Sequence, residues 1–82
     1  MVERFIIIGR STCPFCIMAE DLLTASNFEC VFLDYSTNTQ ILEDYKEFHN
    51  QATVPIILSN HLETGMTFRV GGYTDLLEHL NA

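Results

Sequence analysis

Eighty-two residues, 48% of them hydrophobic and 18% charged, suffice for one small folded domain and do not fit a disordered chain. Eleven acids against four bases leave a net charge of −7, and the bases Arg4, Arg10, Lys46 and Arg69 are scattered. That distribution excludes the basic stripe of a nucleic-acid binder and the polybasic cluster of a membrane-surface protein. The segment before Gly9 is too short and too acidic for a signal peptide and holds no membrane span, so a cytoplasmic protein is expected. The apolar run Phe5–Ile8 predicts a strand covered on both faces. Arg10–Thr12 reads as a loop, and Pro14 suits the first turn of a helix, where its missing N–H costs nothing. That helix runs to about Ala25, with Phe15, Met18, Ala19, Leu22 and Leu23 as its apolar face and Asn27 as its stop.

Cys30–Leu33 predicts a second strand, followed by a polar turn from Asp34 to Asn38. Thr37 with Gln40 three residues on resembles a capping box. It opens a helix to about His49 striped by Ile41, Leu42, Tyr45 and Phe48, and Asn50 can take the left-handed conformation that ends it. Val54–Leu58 is a third strand, Asn60–Gly65 a turn, and Met66–Val70 a fourth strand whose Met66, Phe68 and Val70 alternate with Thr67 and Arg69. Gly71-Gly72 breaks it, and Thr74 caps a last helix carrying Leu76, Leu77 and Leu80. The order implies an α/β domain over 1–82. The first strand–helix–strand unit requires a parallel pair and the last two strands a hairpin, giving a mixed four-stranded sheet with helices on both faces.

The chemistry concentrates in Thr12-Cys13-Pro14-Phe15-Cys16, a Cys-X-X-Cys block between a strand and a helix. Free N–H groups and the helix dipole at that position stabilise an anion, so Cys13 is the expected nucleophile, and nearby Arg10 adds positive charge. Cys16, one turn further on and on the same side, can attack a mixed disulfide on Cys13 and release the reduced product. A zinc site needs four ligands. Only Cys30, His49, His61 and His79 remain, on different elements without ligand spacing, so no metal is expected. Cys30 is expected to be a buried, inert strand residue.

Three blocks, Thr12–Cys16, Thr53-Val54-Pro55 and Gly71-Gly72-Tyr73-Thr74-Asp75, occur in the order found in the glutaredoxin family, and the resemblance covers essentially the whole chain. It implies a thioredoxin fold of four strands and three helices, with Pro55 in a cis peptide bond facing the cysteines. It also implies a glutathione-dependent thiol–disulfide oxidoreductase acting on protein disulfides and glutathionylated proteins, with glutathione as co-substrate, no bound cofactor, and a monomeric state. By position, the backbone of Val54 would pair with the glutathione cysteine, flanked by Thr53. Thr74 and Asp75, following Gly72, would take the γ-glutamyl end. Arg10 matches a basic family position that meets the glycine carboxylate, and Phe15 would line the groove. Two other readings stand beside this one: an iron–sulfur carrier, opposed by Pro14 and Cys16, and a thioredoxin-type reductant, opposed by the absence of Trp. The chain departs from the family pattern in having Phe15 where tyrosine is frequent. It also has fifteen residues between Pro55 and Gly71, more than many bacterial members.

Overall fold

The computed structural model describes residues 3–81. Seven elements follow one another as β1 (Glu3–Gly9), α1 (Pro14–Ala25), β2 (Glu29–Asp34), α2 (Thr39–Phe48), β3 (Ile56–His61), β4 (Thr67–Gly71) and α3 (Tyr73–Leu80). The strands form a single mixed sheet in the order β2-β1-β3-β4. β1 and β2 are parallel, while β3 is antiparallel to both β1 and β4. This is the thioredoxin-type architecture implied by the sequence. No helix among the described residues is long and apolar enough to cross a membrane.

The continuous apolar run in β1 is explained by burial on two sides. Phe5 and Ile7 point to a core shared with Ala19 and Leu23 of α1, Ile57 of β3 and Leu76 of α3. Ile8 points the other way and packs with Ile56 and with Leu42 of α2. Each such fully buried Ile, Leu or Phe contributes about 1.5–3 kcal/mol relative to exposure.

Several boundaries differ from the expectation, each for a local reason. The buried stripe of α1 is Cys16, Ala19 and Leu23, whereas Phe15 and Met18 are 55% and 43% exposed. The helix lies against β1 at Gly9, which has no side chain, so Cys16 meets the sheet and Phe15 turns outward. α2 is capped by Asn38, whose Oδ1 accepts the Ile41 N–H at 3.3 Å. Thr37 and Gln40 form no capping box, since the shorter asparagine amide already reaches the first turn and Gln40 instead donates to Asp44 at 2.9 Å. Thr74 does not cap α3 either. The N-cap is Gly72, whose N–H donates to Asp75 Oδ2 at 2.8 Å from inside the first turn.

β3 starts at Ile56, because Pro55 has no N–H for the ladder, and it continues to His61, beyond the expected Leu58. The hairpin is prolonged by the His61 N–H, which donates to the Met66 carbonyl at 2.8 Å, and by Asn60, whose side-chain amide donates to Thr67 Oγ1 at 3.1 Å. Asn27 and Asn50 both take left-handed backbone angles after their helices, with φ of 63° and 52°. Cys30 is half-buried rather than buried. Burial pushes its thiol up, Glu20 adds to that, and a hydrogen bond with Thr24 opposes it, leaving it above its ordinary value. A thiol held above its ordinary value carries little thiolate near neutrality.

Candidate active site

The start of α1 brings the two active-block cysteines to the end of the sheet. Cys13 is the N-cap, in extended conformation with φ −93° and ψ 117°, and Pro14 occupies the first helical position. A short turn presents it, with the Cys13 N–H donating to the Arg10 carbonyl at 3.1 Å. All three cysteines are free thiols; Cys13 is partly exposed and Cys16 is buried.

Their electrostatics diverge. Burial pushes the Cys13 thiol up, but the Cys16 thiol, the backbone N–H groups of Cys16 and Phe15 and the charge of Arg10 together outweigh it, holding Cys13 below its ordinary value of 9.0. Cys16 is pushed up to about 12, first by burial and then by the neighbouring Cys13, with Arg10 opposing. Near neutrality the pair therefore offers a thiolate-prone sulfur at the surface and a protonated thiol behind it. Gly9 makes this possible, because a Cβ there would run into Cys16 Sγ. The sequence gives no motif for that close approach; Gly9 reads only as the end of a strand.

Across from the cysteines, the Val54–Pro55 peptide bond is cis, as the resemblance implied. Beside it lies an open groove of about 470 Å³. It brings together Phe15, Thr53, Val54, Pro55, Gly72, Thr74 and Asp75 from the candidate site residues of the sequence, and adds Gln51 and Arg69, together with Tyr73, which the sequence placed in a motif block without a role. Arg10 does not line it; it sits at the thiol instead, contributing charge to Cys13. Phe15 and Tyr73 form an aromatic wall, with ring centroids 5.9 Å apart. Gln51 could have been suspected only from its nearness to Thr53-Val54-Pro55, and Arg69 only from being one of four bases. Among the described residues no group of three or more His, Cys, Asp or Glu side chains is placed to hold a metal ion.

Residues 5–61 match the glutaredoxin family model. The chain belongs to the glutaredoxin family. Its Cys13-Pro14-Phe15-Cys16 block makes it a dithiol member, and the family is one of thiol–disulfide oxidoreductases. Reduced glutaredoxin from Escherichia coli has 30% sequence identity and a TM-score of 0.66, with 96% of this chain and 99% of that one covered. Wheat glutaredoxin superposes with a TM-score of 0.77 at 22% identity, over 95% of this chain and 71% of that one. A buckwheat glutaredoxin–glutathione complex gives 0.74 at 13% identity, over 96% and 69% of the two chains. These last two likenesses concern the fold alone. No curated protein sequence matches the chain significantly.

Proposed function

We propose that this glutaredoxin reduces glutathione mixed disulfides and protein disulfides at the expense of glutathione, in a reducing, cytoplasmic setting, with Cys13 as nucleophile and Cys16 as resolving thiol. The observation that carries the reading is the opposite displacement of two thiols one helical turn apart, beside a groove built on Val54 and Pro55. The Cys13 thiolate attacks the glutathione sulfur of a mixed disulfide. That S–S bond breaks, the partner leaves as a thiolate that takes up a proton, and Cys13 is left joined to glutathione. A second glutathione thiolate then attacks the glutathione sulfur, giving oxidised glutathione and restoring the Cys13 thiolate. One free glutathione is thus consumed per mixed disulfide, leaving as oxidised glutathione together with the glutathione that the substrate brought in. With a protein disulfide as substrate, the Cys13 thiolate first displaces one protein sulfur as a thiolate and forms a mixed disulfide with the other; Cys16 then loses its proton and attacks Cys13 Sγ. The reduced protein departs and a Cys13–Cys16 disulfide remains for glutathione to reduce.

In this reading the exposed backbone of Val54 adds the glutathione cysteine as a short extra strand, and Thr53 flanks it. Gly72, Thr74 and Asp75 receive the γ-glutamyl end, while Phe15 closes one side. That a relative of the same fold forms a glutathione complex supports the assignment.

The test is glutathione-dependent reduction of a small glutathione mixed disulfide by wild type, Cys13→Ser and Cys16→Ser. Cys13→Ser is expected to lose at least about 10³-fold, since a serine hydroxyl stays protonated and is a poor nucleophile here. Cys16→Ser keeps turnover, because glutathione itself resolves the intermediate. A wild type that turns over no faster with glutathione than without it would overturn the reading.

A further inference from the structure

We propose that the outer face of α2, built from Ile41, Asp44, Tyr45 and Phe48, docks the polypeptide part of protein substrates, and that it takes an apolar side chain flanked by lysine or arginine. This rests on the thiol–disulfide reading above and adds a partner surface outside the glutathione groove.

α2 carries more apolar surface than its packing uses. Leu42 is its buried residue and faces the core with Ile8 and Ile56. Ile41, Asp44, Tyr45 and Phe48 stand at i, i+3, i+4 and i+7, which places them on one side of the helix. They line a shallow depression of about 440 Å³. Phe48 ends the helix with 82% of its surface exposed. Its ring leans edge-on against His49, with centroids 4.9 Å apart. A single exposed apolar side chain needs no explanation, but a depression shared by three of them points to something that covers it.

The face adjoins the catalytic loop. The rings of Tyr45 and Tyr35 have centroids 5.7 Å apart. The Tyr35 N–H donates to the Gly9 carbonyl at 2.9 Å, just before the loop that presents Cys13. Next to it, Ser36 Oγ lies 3.1 Å from Ser11 Oγ in that loop. Both tyrosines also pack on the cluster that includes Val54. Ile41, Asp44, Tyr45 and Phe48 are all outside the glutathione groove. A glutathionylated protein can therefore seat its glutathione in the groove and lay the adjoining polypeptide past Tyr35 onto α2.

Charge decides what covers the face. Asp44 and Glu47 follow Gln40 at i+4 and i+7, so one edge of the depression is acidic. Glu43 is answered by Lys46 at 2.8 Å. Among the described residues neither Asp44 nor Glu47 has a cationic partner, and Asp44 takes only the neutral Gln40 amide at 2.9 Å. A second copy of the chain offers no base in return. Lys46 is engaged, Arg4 donates to Asn60, Arg69 donates to Gln51, and Arg10 stands at the Cys13 thiol. It also brings a further net charge of −7. An anionic membrane surface is repelled by the same carboxylates. A basic polypeptide with one apolar anchor meets both halves of the face, its anchor covering Tyr45 and Phe48 and its bases meeting Asp44 and Glu47.

The experiment uses three synthetic peptides, each with one glutathionylated cysteine joined by a Gly/Ser linker to a test segment. The segments are Lys-Leu-Phe-Lys, Lys-Gly-Ser-Lys and Glu-Leu-Phe-Glu. A linker of about ten residues spans about 16–19 Å, on a molecule measuring 33 × 25 × 18 Å. Steady-state reduction by glutathione is compared for wild type, Phe48→Ser, and Asp44→Lys combined with Glu47→Lys. The mixed disulfide of glutathione with mercaptoethanol is the small control. NMR amide shifts along α2 are followed in parallel as a copy of the first peptide with serine for cysteine is added.

Wild type is expected to have a KM for the Lys-Leu-Phe-Lys peptide about five- to tenfold below those for the other two. Phe48→Ser loses the advantage over Lys-Gly-Ser-Lys, and the double charge reversal moves the preference to Glu-Leu-Phe-Glu. Turnover of the small control is the same in every variant. The α2 amides shift in wild type and stay in place in Phe48→Ser. The proposal falls if wild type does not separate the three peptides, if Phe48→Ser keeps the separation, or if charge reversal leaves the preference unchanged. It falls equally if the small control slows in step with the peptides, or if the α2 amides do not shift. Sedimentation of wild type as a dimer that Phe48→Ser dissolves would give the face to a second copy and overturn the proposal as well. Absence of turnover on every glutathione disulfide, with the α2 shifts retained, removes the glutathione reading and leaves the docking face.

Discussion

The sheet has two ends, and they treat polar groups in opposite ways. At the end away from the cysteines, polar side chains satisfy one another. Glu3 at the start of β1 accepts a hydrogen bond from the buried Ser59 hydroxyl of β3, pairs with His79 Nε2 of α3 at 2.7 Å, and lies 3.8 Å from His61 Nε2. Its side chain is only 10% exposed. The ring of His79 meets the edge of Phe5, with centroids 5.8 Å apart. At the cysteine end, the Cys13 thiol at a helix start, the Arg69 guanidinium held by the Gln51 amide and the Asp75 carboxylate, with one oxygen on the Gly72 N–H, are left with capacity to spare. One end locks β1, β3 and α3 together; the other keeps its donors and charges for something that is not part of the chain.

The largest effect of a single substitution is expected at Gly71. This residue has φ +125°, and a Cβ there would collide with Asp75 Oδ2. Gly71→Ala combines a backbone conformation that L residues avoid with displacement of the carboxylate that caps α3. It is expected to cost about 3 kcal/mol, which a thermal melt reads as a fall of more than about 10 °C for a domain of this size. Since Asp75 also lines the groove, the same variant weakens glutathione binding. An unchanged melting temperature would mean that α3 can be capped without this contact.

The second largest effect belongs to the opposite end. Glu3→Ala leaves the buried Ser59 hydroxyl without its acceptor and removes the partner of His79, so a loss of about 2 kcal/mol is expected. Burial pushes the Glu3 carboxyl up, but the Ser59 and His79 hydrogen bonds and the charges of His79 and His61 outweigh it and hold it below its ordinary 4.5. Because the folded value is the lower one, the stabilisation is fully present above pH 4.5 and is lost as pH falls through the lowered value. Stability of wild type and variant should therefore converge in acid. Glutathione turnover at neutral pH should be the same for both, which separates the two ends functionally.

What was legible in the sequence and what was not follows the same division. The strand–Cys-X-X-Cys–helix block and the break at Gly71-Gly72 announce themselves because a proline at a helix start and a glycine pair act through the local backbone alone. The succession of strands and helices along the chain and the apolar run Phe5–Ile8 are equally readable, since periodicity reports burial on one or two faces, whereas the sheet order β2-β1-β3-β4 is set by pairings distant in sequence. Gln51 and Arg69 were not readable. They are eighteen positions apart and meet only because β4 pairs beside β3 with an extra residue at Val70. Nor was the exposure of Phe15 and Met18, which depends on a glycine across the sheet admitting Cys16 in their place. Thr37 and Thr74 fit the general preference for a capping residue, yet in both helices a neighbour with a better reach took the contact, Asn38 in one and Asp75 in the other.

The smallest expected effect tests how the cysteine end is held. Asp34, at the end of β2, accepts the Ser11 N–H at 3.1 Å and the Ser36 N–H at 3.0 Å on one oxygen, together with the Ser36 hydroxyl. Ser11 Oγ lies 3.1 Å from Ser36 Oγ. This is the tether of the Arg10–Thr12 loop that presents Cys13, and it is made at the surface. The hydrogen bonds from Ser36 and Ser11 hold the Asp34 carboxyl down at about 2, against an ordinary 3.8. With the folded value lowered, the tether is intact above pH 3.8 and gives way as pH falls toward about 2. In Asp34→Asn the amide keeps a carbonyl oxygen but loses the charge that strengthened all three contacts. Exchange of the Ser11 amide hydrogen should quicken by about two- to fivefold at neutral pH while core amides of β1 hold their rates. Alkylation of Cys13 should change by less than about twofold, because the sulfur draws its stabilisation from Cys16, Phe15 and Arg10 and not from this loop contact. Should Cys13 instead lose its reactivity in step with Ser11 exchange, the loop and the thiol form one unit. The cysteine end would then be preorganised as tightly as the Glu3 end.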